Sequence, residues 1–562
     1  VVLDSPYKRL YYYFHLNDGT ERILYYGDVF TDHLVDDRSQ YFKLPFNHRA
    51  DIAVVPDWVN DAVVYNIFPD SFASGVKRIS IQDRAIDYHG QPVRSKLGGT
   101  LWGIADNVDY LEELGVNCVY LNPIFVAGEY HKYDLLDYFH VDPCFGGDEA
   151  LHHLVRVLHA RGIRILIDGV FNHCGWHFFA FEDVVEKGEA SSYRDWFYGL
   201  KFPVVCPDDP EDYPEYECFA YERMMPKLDT ANPAVREYFC EVGRYWVKNF
   251  HIDGWRLDVA ADLGNSREYN HQFWKKFRKA VKEANSEAVI LAENYGDSYD
   301  WLQGDEWDTI MNYDAFMEPV TWFLTGMQKH SDEFRQDMLG NAGNFFGAMH
   351  HNMSRMGGQA VAISMNELSN HDHSRFLTRT NHRVGRTASV GAEAANEGVN
   401  KAVFMEAVII QMTWPGAPTI YYGDEAGVCG WTDPDNRRTY PWGSEDQELI
   451  AFHKAAIAMH KSQEVLKTGS YKPLVGEYNL IAYGRFNQKD AVVVIVNNSE
   501  DERRVRVPVW ELGITDKDEM EQIFVTFDGG FGEEQLWYTV NGGWLDIGLR
   551  KTSAVVLKRV KW

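Results

Sequence analysis

The chain has 562 residues, of which 45% are hydrophobic, so it is long enough for several domains and can bury a large core. It carries 55 Lys and Arg residues against 83 Asp and Glu residues, and the formal net charge of −28 argues against nucleic acid or an anionic membrane surface as a partner. No apolar run approaches the ~18 residues that a membrane-spanning helix needs.

The seven cysteines show no metal-ligand spacing and are odd in number, which is typical of free thiols. The sequence shows no signal peptide, although without an initiating Met its first residue need not be the natural N-terminus. We therefore expect a cytoplasmic location.

Residues 1–52 predict a small β module. The stretch from Arg9 to Leu16 alternates in polarity and is rich in aromatic residues, and the Asn-Asp-Gly sequence at residues 17–19 is typical of a turn.

From residue 53 to about residue 466, apolar strand-like runs alternate with helical stripes, which predicts a parallel α/β sheet. One stripe has the i, i+3, i+4, i+7 spacing of a helix and is followed by Gly162, a residue that favours a helix end. It consists of Leu151, Leu154, Val155 and Leu158. Eight strands are expected to begin near Val63, Val116, Ile163, Ile252, Ala288, Thr309, Ala360 and Ala417.

Beyond about residue 467 the helical stripes stop. Strand-like runs recur instead at residues 480–483, 491–496, 504–507 and 554–557. This part of the chain predicts a separate antiparallel β domain over residues 467–562.

Four of the predicted barrel strands end in acids or histidines. The third carries Asp168 and His173, the fourth Asp258, the fifth Glu293, and the seventh precedes Asp372. In a closed parallel barrel these strand ends gather at one rim, the place where such barrels carry their chemistry. Each residue alone is a weak signal, because a strand-end acid is as often part of a structural ion pair.

Arg256 lies two positions before Asp258, so both side chains point to the same face of the strand. A guanidinium beside a carboxylate favours its ionised form. We therefore expect a depressed pKa for Asp258, as a nucleophile in sugar chemistry requires.

The order of these segments resembles that of the α-amylase family of retaining glycoside hydrolases, over nearly the whole chain. Four segments match the signatures of that family: residues 168–173, 254–258, 293 and 370–372. Four more resemble the branch that contains neopullulanases, cyclomaltodextrinases and maltogenic amylases: residues 131–134, 225–228, 420–425 and 433–438.

The resemblance implies a (β/α)8 TIM barrel over residues 53–466, with an inserted domain B at about residues 174–232 that covers the cleft. It further implies a C-terminal β-sandwich domain and a partial N-terminal starch-binding-like module. The implied activity is retaining hydrolysis of α-1,4 bonds, and in some members α-1,6 bonds, in cyclodextrins, pullulan, starch or maltooligosaccharides.

Three acids carry over to catalytic roles. The resemblance makes Asp258 the nucleophile that forms a covalent glycosyl-enzyme, and Glu293 the acid that protonates the leaving oxygen and then the base that activates water. Asp372 is the third carboxylate, which stabilises the positively charged sugar ring.

Further residues are implied to bind the substrate. Tyr133 would stack against the glucose at the cleavage point, and His173 and His371 would hydrogen-bond its hydroxyls. Asp168 would shape the site by bonding Arg256.

Two regions would contact sugars farther from the cleavage point. Asp433 and Arg437 lie in a polar loop after the eighth strand, where the alternative is a solvated salt bridge. Tyr295 would lie on the leaving-group side of the cleft. There this chain departs from the branch, with Asn294 and Tyr295 after the acid and with Ala261 and Asp262 after the nucleophile.

No cofactor is expected to be required. The branch's calcium loop is not evident in residues 72–77, so a structural calcium is not supported by the sequence and no metal is assigned. The branch often dimerises through its N-terminal module. Because the opening half of that module is absent from this sequence, a homodimer stays an open alternative.

Three other functions are alternatives, and one of them is a structural or assembly role through the N-terminal module. A transglycosylase would use the same residues, with a sugar hydroxyl in place of water. A non-catalytic sugar-binding relative would be expected to lose one of the three acids, and all three are present.

Overall fold

The computed structural model describes residues 10–27, 29–37, 40–44, 53–74, 84–86, 92–94, 97–209 and 212–561. The chain forms two compact units, Val1–Val54 and Val55–Trp562. Arg9, the first residue of the predicted alternating stretch, lies outside the described residues.

The N-terminal unit is built of antiparallel strands, as its alternating sequence predicts. Phe14–Asn17, Arg22–Tyr26 and Val29–Thr31 form one sheet, and Leu10–Tyr12 pairs with Phe42–Leu44. The first hairpin turns at Asp18, whose carboxylate accepts hydrogen bonds from the backbone N–H groups of Thr20 and Glu21 at 2.8 and 2.7 Å.

The larger unit contains the predicted (β/α)8 barrel, an eight-stranded parallel sheet that closes on itself. Its strands are Val64–Ile67, Cys118–Leu121, Arg164–Gly169, Gly254–Leu257, Val289–Ala292, Thr309–Ile310, Met365–Glu367 and Ala417–Tyr421. A parallel bridge between Met311 and Met365 joins the sixth strand to the seventh and completes the ring. All eight strands are almost entirely buried, as a parallel sheet covered by helices must be.

The seventh strand differs from its predicted position. The apolar run at residues 360–363, which we expected to begin that strand, belongs mostly to the short helix Gly358–Ala362, and the strand follows as Met365–Glu367. A run of four apolar residues has no readable period, so a buried helical turn and a buried strand cannot be told apart from it.

The remaining helices surround the barrel and fill its connections. They are Pro69–Phe72, Leu101–Asp106, Val108–Leu114, Gly147–Ala160, Phe179–Lys187, Pro233–Tyr245, Arg267–Ala284, Glu318–Thr325, Ala342–Ser354, Phe376–Arg379, Thr387–Val390, Lys401–Thr413, Gln447–Ser462 and Glu464–Thr468. In Gly147–Ala160 the buried face contains the four residues of the predicted stripe.

The segment after His173 is irregular apart from the helix Phe179–Lys187 and short 3₁₀ turns. An isolated bridge from His173 to Lys227 ties it to the barrel rim, and a bridge from Phe197 to Leu228 lies within it. Another hairpin, Phe125–Ala127 with Leu135–Val141, precedes it, and Arg84–Ile86 pairs with Pro92–Arg94.

The C-terminal region is antiparallel, as predicted. Its strands are Ser470–Glu477, Leu480–Phe486, Ala491–Asn497, Arg503–Val507, Asp518–Phe527, Gly530–Gly532, Trp537–Thr539, Leu545–Leu549 and Ser553–Lys561. Seven form one sheet, and Arg503–Val507 pairs with Leu545–Leu549 in a second.

Both faces of the larger C-terminal sheet are buried, because alternate side chains of its strands enter different cores. Ile481 and Val494 join the core of the barrel, whereas Leu480 and Val493 pack with the second sheet. No helix in the described part of the chain is long and apolar enough to span a membrane.

Candidate active site

Three adjacent barrel strands bring the predicted acids to one rim. Asp168 pairs in register with Arg256 on the neighbouring strand, and Leu257 pairs with Ala292 on the next. Asp258 and Glu293 each follow directly after these paired residues. Residues that follow the ends of neighbouring parallel strands therefore lie close together, as the sequence predicted.

Arg256 is the hub of this group. Its side chain is fully buried, and Nη1 donates to Asp168 at 2.9 and 3.0 Å and to Asp258 at 2.8 Å. Nη2 lies 3.0 Å from Oε2 of Glu293. One guanidinium thus faces three carboxylates and cannot neutralise them, so the group keeps an excess of negative charge.

The expected depressed pKa of Asp258 is not found. Burial raises the pKa of Asp258 well above its ordinary value, and although Arg256 lowers it, Glu293 and Asp168 raise it further. The prediction counted one cation beside one acid. It failed mainly because burial disfavours the charged carboxylate, and also because the cation is shared with two more acids.

Backbone groups after Asp258 hold the side chain of Glu293. The N–H of Val259 donates to Oε2 of Glu293 at 3.0 Å, and the hydroxyl of Tyr313 lies 3.5 Å from Oε1. Val259 adopts φ 45° and ψ 43°, a left-handed conformation that is rare for a β-branched residue. Strain of this kind is typical of functional sites.

Asn270 fixes the loop in which Val259 lies. It is buried on the helix Arg267–Ala284, and its Nδ2 lies 2.9 Å from the carbonyl oxygen of Ala260, 3.1 Å from that of Ala261 and 3.2 Å from that of Leu263. Its Oδ1 accepts a hydrogen bond from Trp301 at 2.8 Å, in the segment after Glu293. Asn270 therefore ties together the segments that follow the two central acids.

Tyr133 lies in the polar centre of the site. Its hydroxyl is 3.0 Å from Oδ2 of Asp168 and 2.6 Å from Nε2 of His371. The rings of Tyr133 and His371 are nearly parallel, with centroids 5.5 Å apart. His371 Nε2 is also 3.4 Å from Asp372, so this chain of contacts connects the third acid to the others.

His173 is fully buried beside Tyr133, with Nε2 3.1 Å from the carbonyl oxygen of Tyr133. Its ring is stacked on Phe219, with centroids 4.5 Å apart. Burial lowers the pKa of His173 to about 3 and that of His371 well below its usual range, so both rings are neutral.

Arg437 reaches the site from the loop after the eighth strand. Its side chain is buried, its Nε donates to the carbonyl oxygen of His371 at 2.8 Å, and its Nη2 lies 3.5 Å from Asp372 and 3.4 Å from Asp433. The carboxylate of Asp433 is about half exposed at 46%. The Asp433–Arg437 pair exists, but its cation is a buried support of Asp372 and not a solvated surface group.

Tyr295 is open to solvent beside Glu293, with 52% of the residue exposed. One face lies against Tyr313, with ring centroids 4.7 Å apart, and the Nζ atom of Lys329 is 4.7 Å from the centroid of Tyr295. Its exposed ring therefore lies at the surface of the site, next to the residue that follows the fifth strand.

Several residues of the site were assigned no role from the sequence. Tyr120 donates to Asp168 at 2.7 Å, and Asn370 donates to Tyr313 at 3.1 Å and to Glu367 at 3.0 Å. Burial raises the pKa of Glu367 to about 8. The available signal was the presence of polar groups in two buried strands, Tyr120 in the second and Glu367 in the seventh.

A cleft of about 580 Å³ lies between the inserted segment and the loop after Asp258. Its lining includes Phe219, Lys227, Asp262, Arg267 and Trp301. Asp262 is one of the positions at which the sequence departs from its branch, so that departure faces the cleft.

Within the residues described, no cluster of three or more His, Cys, Asp or Glu residues could hold a metal ion. The seven cysteines are all free thiols.

The model of the alpha amylase catalytic domain matches residues 66–541 of the chain. The chain belongs to the α-amylase family. It is 38% identical to a cyclomaltodextrinase of Geobacillus thermopakistaniensis over 90% of this chain and 80% of that protein, and 37% identical to neopullulanase 2 of Thermoactinomyces vulgaris over 91% and 82%. A solved cyclomaltodextrinase structure covers 99% of the chain with a TM-score of 0.77 and 33% identity, over 88% of its own length. This family member is a glycoside hydrolase.

Proposed function

We propose that the chain cleaves α-glucosidic bonds of α-glucans with retention, with Asp258 as nucleophile and Glu293 as acid and base. The observation that carries the proposal is that both carboxylates contact adjacent nitrogens of Arg256. Such an arrangement favours the short separation of a retaining pair, about 5–5.5 Å, over the wider one of an inverting pair.

In the first step Asp258 attacks the anomeric carbon while the bond from that carbon to the leaving oxygen breaks. The proton of Glu293 passes to the leaving oxygen. The excess of negative charge around Arg256 supports this start, because it favours a proton on one of the three carboxylates. Asp372 stabilises the positive charge that develops on the ring.

In the second step a water molecule gives its proton to Glu293 and its oxygen attacks the anomeric carbon, which releases Asp258. Glu293 thus returns to its protonated form, and the sugar keeps its original configuration. These steps use only side chains of this chain, and we assign no cofactor. Residues 75–77 of the segment where the branch carries calcium lie outside the described residues.

Cyclodextrins are the proposed preferred substrates, followed by short maltooligosaccharides and pullulan. The names of the similar proteins, cyclomaltodextrinase and neopullulanase, support this choice. Incubation with β-cyclodextrin, pullulan, starch and maltotriose, followed by chromatography, tests it. Rapid ring opening is expected, and panose from pullulan would indicate cleavage of its α-1,4 bonds. Absence of products from all four substrates would contradict the proposal.

The Asp258→Asn variant tests the nucleophile. A neutral amide cannot form the glycosyl ester, so turnover should disappear while the thermal unfolding temperature stays close to that of the wild type. Asp490→Asn, at an exposed turn of the C-terminal region, is the matched control and should retain full activity. Loss of a nucleophile should reduce the rate far more than 10-fold. If Asp258→Asn kept more than about a tenth of the wild-type rate, the assignment would be wrong.

Transglycosylation is the second candidate, because a sugar hydroxyl can replace water with the same residues. The exposed ring of Tyr295 on the leaving-group side favours it, since an acceptor sugar could bind there. Product analysis at high maltose concentration separates the two: longer oligosaccharides indicate transfer, and glucose and maltose alone indicate hydrolysis.

We also propose that the chain forms a homodimer and is located in the cytoplasm. Seven free thiols support a reducing compartment. Light scattering of the purified chain tests the dimer, and a mass of one chain at all concentrations would remove it.

A further inference from the structure

A cavity of about 820 Å³ lies where the barrel meets the C-terminal sheet. It is bordered by the first turns of the helices Lys401–Thr413 and Gln447–Ser462 and by the hairpin turn at residues 528–531. None of its lining residues belongs to the active site or to the cleft beside it.

Phe531 gives this cavity a rigid apolar wall. The ring is parallel to that of Phe524 within 7°, with centroids 5.7 Å apart, and its edge meets Phe452 at 5.5 Å. These contacts fix the ring, which remains half-buried at the cavity. A fixed aromatic face beside polar groups is typical of small-molecule sites, and such faces suit the apolar side of a sugar ring.

The polar lining disfavours an anionic ligand. The cations nearby already have acidic partners: Lys401 pairs with Asp446, and Lys551 pairs with Asp528 of the lining at 3.1 Å. Glu448, also in the lining, has no cationic partner among the described residues. The cavity is therefore acidic and disfavours phosphate or other anions, whereas carboxylates and the amides of its lining accept and donate hydrogen bonds to hydroxyl groups.

We propose that this cavity is a second binding site for short segments of α-glucan, separate from the catalytic cleft. The identity of the ligand rests on the proposed function. A site of this volume holds an oligosaccharide segment, and a long chain held there stays at high effective concentration near the cleft. Short substrates, which cannot reach both sites, gain nothing from it.

Ala451 offers a way to fill the cavity without disturbing the core. It lies in the lining and is exposed on the helix Gln447–Ser462. Ala458, seven residues farther along the same face, is also exposed and is not part of the lining. Ala451→Trp should block the site, and Ala458→Trp carries the same added ring as a matched control.

Kinetics on substrates of different length give the first readout. Ala451→Trp should raise the KM for soluble starch by about 2- to 10-fold, the equivalent of one lost aromatic contact, and leave kcat/KM for maltotriose unchanged. Ala458→Trp should change neither value. An unchanged starch KM in Ala451→Trp, or equal changes in both variants, would overturn the proposal.

Binding to the inactive Asp258→Asn enzyme gives the second readout and does not depend on turnover. Calorimetric titration with maltoheptaose should show two sites per chain, and one site when Ala451→Trp is added. One site in both proteins would overturn the second site while leaving the proposed hydrolysis intact. If the wild type cleaved no α-glucan, the proposed function would fail, and loss of one of the two sites in Ala451→Trp would still support the cavity as a glucan site.

Discussion

At the residue scale the site is organised by one buried cation. Arg256 touches Asp168, Asp258 and Glu293, so a change in the charge of any one acid alters the field at the other two. In the proposed mechanism Asp258 becomes an ester, and one negative charge near Glu293 then disappears. The second step, in which Glu293 takes the proton of water, therefore occurs in a less negative field than the first.

Glu293→Gln tests the acid role. The amide keeps the size of the side chain but has no transferable proton, so maltotriose, with its poor leaving group, should react several orders of magnitude more slowly. An aryl glycoside whose leaving group needs no proton should still form the glycosyl-enzyme. Added azide should then restore its turnover, because azide attacks without a base. Equal losses on both substrates without rescue by azide would contradict the role.

Tyr133 has a hydroxyl that makes hydrogen bonds and a ring that could stack on the substrate, and two substitutions can separate these contributions. Tyr133→Phe removes the hydroxyl that contacts Asp168 and His371 but keeps the ring, whereas Tyr133→Ala removes both. If the ring stacks on the substrate, Tyr133→Ala should lower kcat/KM by on the order of 10-fold or more, about 1.4 kcal/mol, and Tyr133→Phe clearly less. Steady-state kinetics on β-cyclodextrin measure both. Equal losses would place the function of Tyr133 in its hydroxyl.

At the element scale the loop after Asp258 depends on its neighbours for its shape. The left-handed Val259 directs its N–H at Glu293, and Asn270 holds the next carbonyl groups from the helix that follows. A strained conformation persists only where surrounding contacts determine it. Asn270 is thus a positioning residue for the acid, although it touches no reacting group.

Asn270→Asp gives this element a pH signature. An ionised carboxylate cannot donate to the three carbonyl oxygens that surround it, so activity should fall at neutral pH. At lower pH the carboxyl gains a proton and can donate one hydrogen bond, so the ratio of mutant to wild-type kcat should rise as pH falls. Asn270→Leu is the control and should show a ratio that does not depend on pH. A pH-independent ratio in Asn270→Asp would show that only the shape of the side chain matters.

The elements also show what the sequence could and could not predict. Strand ends such as those before Asp258 and Glu293 could be located because each apolar run is followed directly by a recognisable motif that marks where the strand stops. The run at residues 360–363 was misassigned because four apolar residues carry no period. Contacts between distant segments, such as Arg437 with Asp372 or the sharing of Arg256, follow from barrel closure and leave no local trace in the sequence.

At the scale of the whole molecule, the helix Lys401–Thr413 is enclosed between the barrel and the C-terminal sheet and is buried almost all round. Glu406 lies on it, fully buried, and neither carboxyl oxygen has a hydrogen-bond partner among the described residues. Burial raises the pKa of Glu406 well above its ordinary value. The folded protein therefore keeps this carboxyl protonated at a pH where the unfolded chain ionises it.

Glu406→Gln should stabilise the protein, and more so at higher pH. Above the unfolded pKa of about 4.3 the unfolded state releases a proton that the folded state retains, so the wild type loses up to about 1.4 kcal/mol of stability per pH unit until the folded pKa is reached. The neutral amide removes this loss. Thermal unfolding should show a larger gain at pH 8 than at pH 5. Glu186→Gln, on an exposed helix position, should show no such trend, and an equal gain at both pH values would contradict the assignment.

The two-sided burial of the C-terminal sheet has a consequence for how this enzyme can be divided or recombined. Side chains such as Ile481 and Val494 belong to the same core as the barrel helices, so the predicted boundary near residue 467 crosses a shared core. Truncation at that boundary would expose a large apolar surface on each fragment, and both fragments would tend to aggregate. Exchange of C-terminal regions between relatives would succeed only when the barrel helices that pack on the C-terminal sheet are exchanged together with it.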